Sequence, residues 1–433
     1  MKAVDLFAGC GGMSLGFQNA GFDIVAAFEF WDIAAECYAK NFSHPVFRTD
    51  LSDVDLAVKQ ISAFSPDLII GGPPCQDFSH AGKRIESSRA SLTESYAKIV
   101  SNIHPKYFVM ENVDRAEKSH AFEKAKIVFK NAGYGLTQMV LDASKCGVPQ
   151  KRKRFFCIGA LGKDDDFMRD ILISGIQSKE TTLRDYFGDA LDFEFYYRHP
   201  RNYNRRAVFS IDEPAPTMRG VNRPVPKGYP GHPNDACPIS DNIRALTTLE
   251  RSLIQTFPAT FKWCGNKTEM EQMIGNAVPV KLAEYVASAL QQYIKSEKQV
   301  ETNKDSFVDW LVHFQHYSQR SASDTLSRVR RADKMCRLDG APNDFYFYAL
   351  QQTKEYNELS VSVRSQIKRA LSLYNSFITQ SSASLYTSFM LSSFPVPTLM
   401  WQLLISLLSG AYVSLKSTFS STHCRTLVID NRQ

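Results

Sequence analysis

Nine cysteines are scattered along 433 residues, with no C-x-x-C pair among them. An odd number without paired spacing argues against a disulfide framework and fits free thiols in a reducing cytoplasm. No Cys/His spacing reads as a zinc site, so no metal is expected. Internal repeats are absent, which excludes solenoids and propellers. Long clean apolar runs are absent too. Leu399 to Leu415 contains Gln402 and several serines and is short for a bilayer span, so no membrane association is expected. Met1-Lys2 leads straight into an apolar strand pattern, which leaves no room for a signal peptide. Positive charge is only in modest excess: a net charge of +6 favours a polyanionic partner without demanding one.

The length exceeds one ordinary domain and allows a large core. The chain opens with VDLFAGCGGMSLGF, a short strand followed by Gly9, Gly11 and Gly12 and then a helical pattern. A strand, tight turn and helix in that order is the unit with which a doubly wound α/β sheet cradles an adenosine group. The glycines do not follow the G-x-G-x-x-G spacing of a dinucleotide loop, which disfavours a nicotinamide-dependent oxidoreductase. A second strand, in FDIVAAFEFWD, ends at Glu29, where such folds bind ribose hydroxyls. Asp50 follows another short apolar run and can accept from an adenine amino group. Most surface acids are simply solvated. Only their place at successive strand ends marks these two.

The most informative run is GGPPCQDFS, Gly71 to Ser79, directly after Leu68-Ile69-Ile70. Two prolines fix the backbone and present Cys75 rigidly at a strand end. A free thiol is usually buried and inert. A cysteine presented this way is a candidate nucleophile, given an electropositive setting. YFVMENV, Tyr107 to Val113, reads as another buried strand and brings Glu111 to the same sheet edge, where burial raises a carboxyl pKa. Lys151 to Arg154 are four consecutive cations entering a strand. Strand alternation sends Arg152 and Arg154 to one side, within joint reach of a phosphate or carbonyl.

Taken in order, DLFAGCGG, GGPPCQDFS, ENV, QKRKR, RALTTLE (Arg244 to Glu250) and IGNAVP (Ile274 to Pro279) resemble the motifs of bacterial DNA (cytosine-5) methyltransferases of restriction-modification systems. The resemblance covers roughly the first two-thirds of the chain. It implies a Rossmann-like α/β fold with a doubly wound mixed sheet, S-adenosylmethionine as cofactor, and double-stranded DNA as partner. By that resemblance Cys75 attacks carbon 6 of a flipped cytosine and Glu111 donates to ring nitrogen N-3. Arg154, with Arg152, would hold the base carbonyl or keep the thiolate ionised. Phe7 would lie against the adenine, Gly9 and Gly11 at the methionine end, and Glu29 on the ribose with Phe30 beside the base. Asp50 would take the adenine amino group, and Pro74 and Asn276 would close around the sulfonium. Gln76 and Ser79 would face DNA. The family usually carries an arginine before its late glutamate, where this chain has Leu249, and a glycine where this chain has Thr256. The resemblance further implies a monomer on DNA, with a cognate restriction endonuclease as a genetic and not a physical partner. One branch of the family methylates transfer RNA, and a catalytically silent DNA-binding relative is a further alternative.

Residues 1–160 and 242–295 are the expected catalytic domain, with a target-recognition region at 161–241. Its middle, YYRHPRNYNRRAVF, interleaves aromatics with Arg198, Arg201, Arg205 and Arg206, which suits phosphate and base-edge contacts. Thr217 and Arg219 are expected to continue that surface. The charged run SEKQVETNKD places a linker at 296–306. Beyond it 307–380 is helical in pattern, with arginine-rich faces that weakly resemble the core-binding domains of phage-type integrases. The alternative is a helical tail packing on the enzyme or forming a dimer contact. No structure is assigned to the serine-rich tail, 381–433.

Overall fold

The structure, a computed structural model, describes residues 1–74, 92–200, 202, 204–338 and 341–393, with the backbone alone for 298–305 and 380–393. The chain divides into two compact units, 1–296 and 297–433.

The first unit begins as alternating strands and helices: β1 Lys2–Leu6, α1 Gly12–Asn19, β2 Asp23–Phe28, α2 Asp32–Ala39, β3 Val46–Phe47, α3 Val54–Ser62, β4 Leu68–Gly71, α4 Leu92–Ile103, β5 Tyr107–Val113 and α5 His120–Asn131. Then come β6 Tyr134–Asp142, β7 Gln150–Lys151 and β8 Lys153–Leu161. Seven strands form one sheet in the order β3-β2-β1-β4-β5-β8-β6. β1 to β5 run parallel, and β8 lies antiparallel to both β5 and β6. This is a doubly wound mixed sheet. The near-continuous burial of β1 and β4 follows from helices covering both faces. One face packs Leu68, Ile70 and Phe156 against Phe17 of α1 and Leu282, Val286 and Leu290 of a later helix. The other packs Val4, Ile69 and Phe108 against Tyr96 and Val100 of α4 and Phe122 and Phe129 of α5. Strand order reverses between β1 and β4. At that switch point the strands' carboxyl ends open a crevice.

Residues 161–241 hold α6 Arg169–Ser174, α7 Leu183–Phe187, β9 Phe195–Tyr197, β10 Val208–Ser210 and β11 Ala215–Pro216. β9 and β10 pair antiparallel, and β11 pairs parallel with β7. Tyr196, Tyr197 and Phe209 of YYRHPRNYNRRAVF are buried and serve a small local core.

The chain then returns through α8 Thr248–Ile254, α9 Lys267–Asn276 and α10 Val280–His313. α8 and α9 each start with a capping box, Thr247 with Glu250 and Asn266 with Glu269, which satisfies orphan N–H groups at both ends of the exchange. Glu250 also takes a two-pronged contact from Arg244, at 2.8 and 2.7 Å. Its guanidinium thus comes from six residues back, while Leu249 is 51% exposed. Thr256 sits at φ +63°, a left-handed conformation that strains a β-branched residue and suits glycine. Its hydroxyl offsets part of that cost by accepting from the Lys281 N–H at 2.9 Å.

The second unit holds α11 Gln319–Met335, α12 Asp344–Gln352, α13 Lys354–Asn357 and α14 Val361–Ser393. Its core gathers Phe307, Trp310, Leu326, Val329, Ile367, Leu371 and Tyr374. The stretch 296–306, read from its charge as a linker, is helical and lies within α10, because backbone hydrogen bonds continue through a charged run as readily as through an apolar one. Among the described residues no helix is long and apolar enough to cross a membrane. Leu399 to Leu415 lies outside them.

Arg251 and Glu271 form an ion pair at 2.6 Å with both side chains 4% exposed. Glu271 also accepts from Asn222 at 3.0 Å and Thr248 at 2.8 Å, and Arg251 donates to the Arg219 carbonyl. Removing one partner strands the other charge in the interior. Arg251→Met should cost about 3–5 kcal/mol in urea unfolding. Arg251→Met with Glu271→Leu should cost clearly less than the sum of the single changes. Additivity would show that the two charges are not coupled.

Candidate active site

The loop after β1 passes through two left-handed residues, Phe7 at φ +57° and Gly9 at φ +56°. A side chain built on Gly9 would meet nothing within 4 Å, so this turn faces open space. Gly11, at φ +97°, instead packs inward, where a Cβ would come 2.3 Å from the Phe42 ring. It starts α1 and does not line the crevice. Glu29, just past β2, accepts from the Gly9 N–H at 2.7 Å and the Trp31 N–H at 2.6 Å. Burial raises its pKa, and these amide bonds oppose the rise. Phe7, Gly9, Trp31, Gly72, Glu111 and Asn276 line one pocket at the switch point. Neither Glu29 nor Phe30, the latter 68% exposed, is among the residues lining it. Asn276 ends α9 and accepts from Gln272 at 2.9 Å. Asp50 is exposed and accepts from the Ser52 N–H at 2.9 Å; neither it nor the exposed Pro74 lines the pocket.

Glu111 and Arg154 are diagonal neighbours on β5 and β8, whose register sets Val113 opposite Arg154 and Phe156 opposite Glu111. Arg154 Nε lies 2.9 Å from Glu111 Oε1, with both side chains nearly buried. The second oxygen, Oε2, would lie 3.1 Å from a Cβ on Gly72, three residues before Cys75. Burial pushes the Glu111 pKa up, and Arg154 and Arg152 pull against it. Next to it, Asn112 Nδ2 donates to the Pro73 carbonyl at 2.9 Å, tying the start of the Pro-Pro-Cys run to β5. Cys75, Gln76, Ser79 and Arg201 lie outside the described residues.

Arg152 and Arg154 both act on the Glu111 charge, but their donors go to different partners. Arg152 falls between β7 and β8, and its carbonyl accepts from the Ala143 N–H at 3.0 Å. Its guanidinium, in a residue 1% exposed, donates to the carbonyls of Met218 at 3.0 Å, Gly275 at 2.8 Å and Ala277 at 3.0 Å.

The sequence matches the family described as C-5 cytosine-specific DNA methylase over residues 1–292. The chain belongs to that family. It is similar to the type II methyltransferase M.HindV of Haemophilus influenzae, 58% identical over 68% of this chain and 98% of the relative. It is 55% identical to M.HgiDI of Herpetosiphon aurantiacus, over 69% of this chain and 96% of that protein. In fold it is similar to the S. pombe Dnmt2 methyltransferase, with a TM-score of 0.51 at 20% identity, covering 68% of this chain and 99% of that one. The protein is a DNA (cytosine-5)-methyltransferase.

Several cations of the methyltransferase within residues 161–241 are held internally. Arg198 donates to the Thr217 carbonyl at 2.6 Å, and Thr217 Oγ1 donates to the Lys151 carbonyl at 2.7 Å. Arg219 donates to the His199 carbonyl, and Arg206 pairs with Glu213 and lies 4.3 Å over the Phe209 ring. Arg205 is exposed.

The sequence reading missed Asn112 as the tie to the proline run and Trp31 in the pocket wall. It also missed Asp5, whose alternation within β1 was the available signal. Asp5 is 1% exposed and lines the pocket floor. Ser14 donates to it at 2.6 Å, Ser14 and Tyr38 hydroxyls lie 2.6 Å apart, and Tyr38 lies 2.6 Å from His44. Burial pushes the Asp5 pKa up from 3.8 to about 7, Glu29 adds to the rise, and the Ser14 bonds oppose it. The folded protein therefore holds a proton that the unfolded chain has already released above its ordinary value. The corresponding stabilisation is complete below about 4 and is lost as pH rises to about 7. Relative to Asp5→Asn, the wild type should lose stability across that interval and then level off, as read by urea midpoints at a series of pH values. A pH-independent difference would mean that Asp5 is ionised throughout.

Proposed function

We propose that the protein transfers a methyl group from S-adenosylmethionine to carbon 5 of a cytosine flipped from a specific double-stranded DNA sequence. We take Cys75 as the nucleophile and the protein as the modification enzyme of a type II restriction-modification system. The observation that carries this reading is the buried Glu111–Arg154 pair set against Gly72, at the root of the Pro-Pro-Cys run. The restriction-modification role is supported by the type II relatives, and it makes a cognate endonuclease a genetic partner.

The residues at the crevice fit the cofactor. Gly9 leaves open space, Glu29 keeps oxygen lone pairs beyond its two amide bonds, and Phe30 offers an exposed ring. Glu29 would take the ribose hydroxyls, Phe7 and Phe30 would flank the adenine, Asp50 would reach its amino group from the rim, and Asn276 and Pro74 would border the reacting end. S-adenosylmethionine supplies a methyl group already activated on a sulfonium. Carbon 5 of cytosine is a poor nucleophile, so addition of the Cys75 thiolate at carbon 6 divides one hard step into easier ones. The charge this pushes into the ring is met at N-3 by a proton from Glu111. Arg154 orients that carboxyl through Oε1 and leaves Oε2 for the base. Once carbon 5 carries the methyl group, loss of its proton to water expels the Cys75 thiolate, the N-3 proton returns to the Glu111 carboxylate, and the aromatic ring is restored. Arg152 is a positioning residue, holding the backbone on either side of the site. Exclusion from the stack explains why the base must be flipped.

Bisulfite sequencing of a plasmid from an expressing strain should reveal one methylated motif. Cys75→Ser should abolish that methylation, and DNA carrying 5-fluorocytosine should trap a covalent adduct on wild type alone. Substantial methylation by the serine variant would sink the assignment. Glu111→Gln should lower the single-turnover rate by roughly two to four orders of magnitude while cofactor affinity changes little. Glu29→Ala should weaken S-adenosylmethionine by about 1–3 kcal/mol in calorimetry. Unchanged binding would place the adenosine elsewhere.

A further inference from the structure

The second unit has a cleft of about 740 Å³ between α11 and α14, outside the crevice described above. Arg328 of α11 and Arg369 of α14 line it, as does His316. Among the described residues neither guanidinium has an ion-pair or hydrogen-bond partner, so no packing role accounts for either charge. α11 and α14 together carry eight cations and two acids, against a net charge of +6 for the whole chain. The one carboxylate in the lining is Asp324, one turn before Arg328.

We propose that this cleft is a second, sequence-independent site for the phosphate backbone of duplex DNA. The inference rests on DNA being the substrate. Apolar side chains in the lining are confined to Tyr317, Ala370 and Leu373, whereas pockets for small molecules are mostly apolar and aromatic. Apart from the His316 imidazole and the Asp324 carboxylate, the remaining lining is guanidinium, amide and hydroxyl, including Ser318 and Ser321 at the start of α11. Those are the groups that contact phosphate and sugar and position a protein on DNA without reading sequence. Two arginines on two packed helices give a spaced pair of cations, which suits successive phosphates of a strand better than one small anion. Such a site anchors the recognition region near its target and raises affinity without altering the methylated motif.

The test uses the full chain and a labelled duplex without cytosine in its target context, with affinity read by fluorescence anisotropy across a salt series. Arg328→Ala with Arg369→Ala should weaken binding at low salt and reduce the slope of log affinity against log salt by about 2, near 0.9 per lost phosphate contact. Arg328→Lys with Arg369→Lys should keep the slope, since the charges remain. Asp324→Asn should tighten binding. An unchanged slope in the alanine pair overturns the proposal, as does an equal loss in the lysine pair. So does a slope unchanged on duplex DNA but lowered on single-stranded RNA. No methyl transfer enters the readout, so failure here leaves the Cys75 adduct test standing.

Discussion

Burying the Arg152 guanidinium is the constraint on which the catalytic unit depends. A charge taken out of water is costly unless its donors are met, and here three main-chain carbonyls meet those of the two terminal nitrogens, while Nε has no partner. Those carbonyls come from Met218, after β11, and from Gly275 and Ala277 at the end of α9 and just past it. One side chain therefore fixes two distant stretches of backbone beside the strand that presents Arg154. Gln150 and Gln255 extend the clamp: Gln150 bonds the Met218 N–H at 2.8 Å and the Gln255 side chain at 2.8 Å. The geometry at Glu111 is set by this framework before any substrate arrives.

The cofactor end is organised in the same economical way. Glu29 serves the fold through the amides of Gly9 and Trp31, two residues that line the crevice. Left-handed backbone at Phe7 and Gly9 holds the loop open. Strain of this kind persists only where the surroundings enforce it, and it concentrates at binding sites. The hydrogen-bonded chain from Asp5 to His44 lies beneath the same loop, so a buried acid and the binding turn share one set of contacts.

The recognition region and the helical unit divide the basic residues differently. Around β9 and β10, most arginines are consumed by carbonyls, Glu213 and an aromatic face, and they build the platform before they can contact anything else. In the helical unit the guanidiniums of Arg328 and Arg369 are left facing a cleft. A basic run in sequence thus has two fates, and packing chooses between them.

The sequence alone determined the sheet. Short apolar strands ending in Gly, Glu and Asn, each followed by a helical period, left little choice but a doubly wound fold with its crevice at the strand ends. It likewise brought Phe7, Gly9, Glu111 and Asn276 to one edge, because each stands at an element's end. Only the tertiary structure decided that Arg152 turns into the backbone while Arg154 meets Glu111. The carbonyls that take the Arg152 donors belong to segments far along the chain, and nothing local announces them. The same holds for Asn112 and Pro73, and for Arg244 meeting Glu250, which are bonds between segments that only packing brings together. The charged run at 296–306 was legible as polar but not as helix, since periodicity reports which face is buried and says little where no face is. Local pattern fixes elements and their ends. Which polar side chain spends its hydrogen bonds on backbone, and which keeps them for a ligand, is settled by distances between strands that the sequence does not carry.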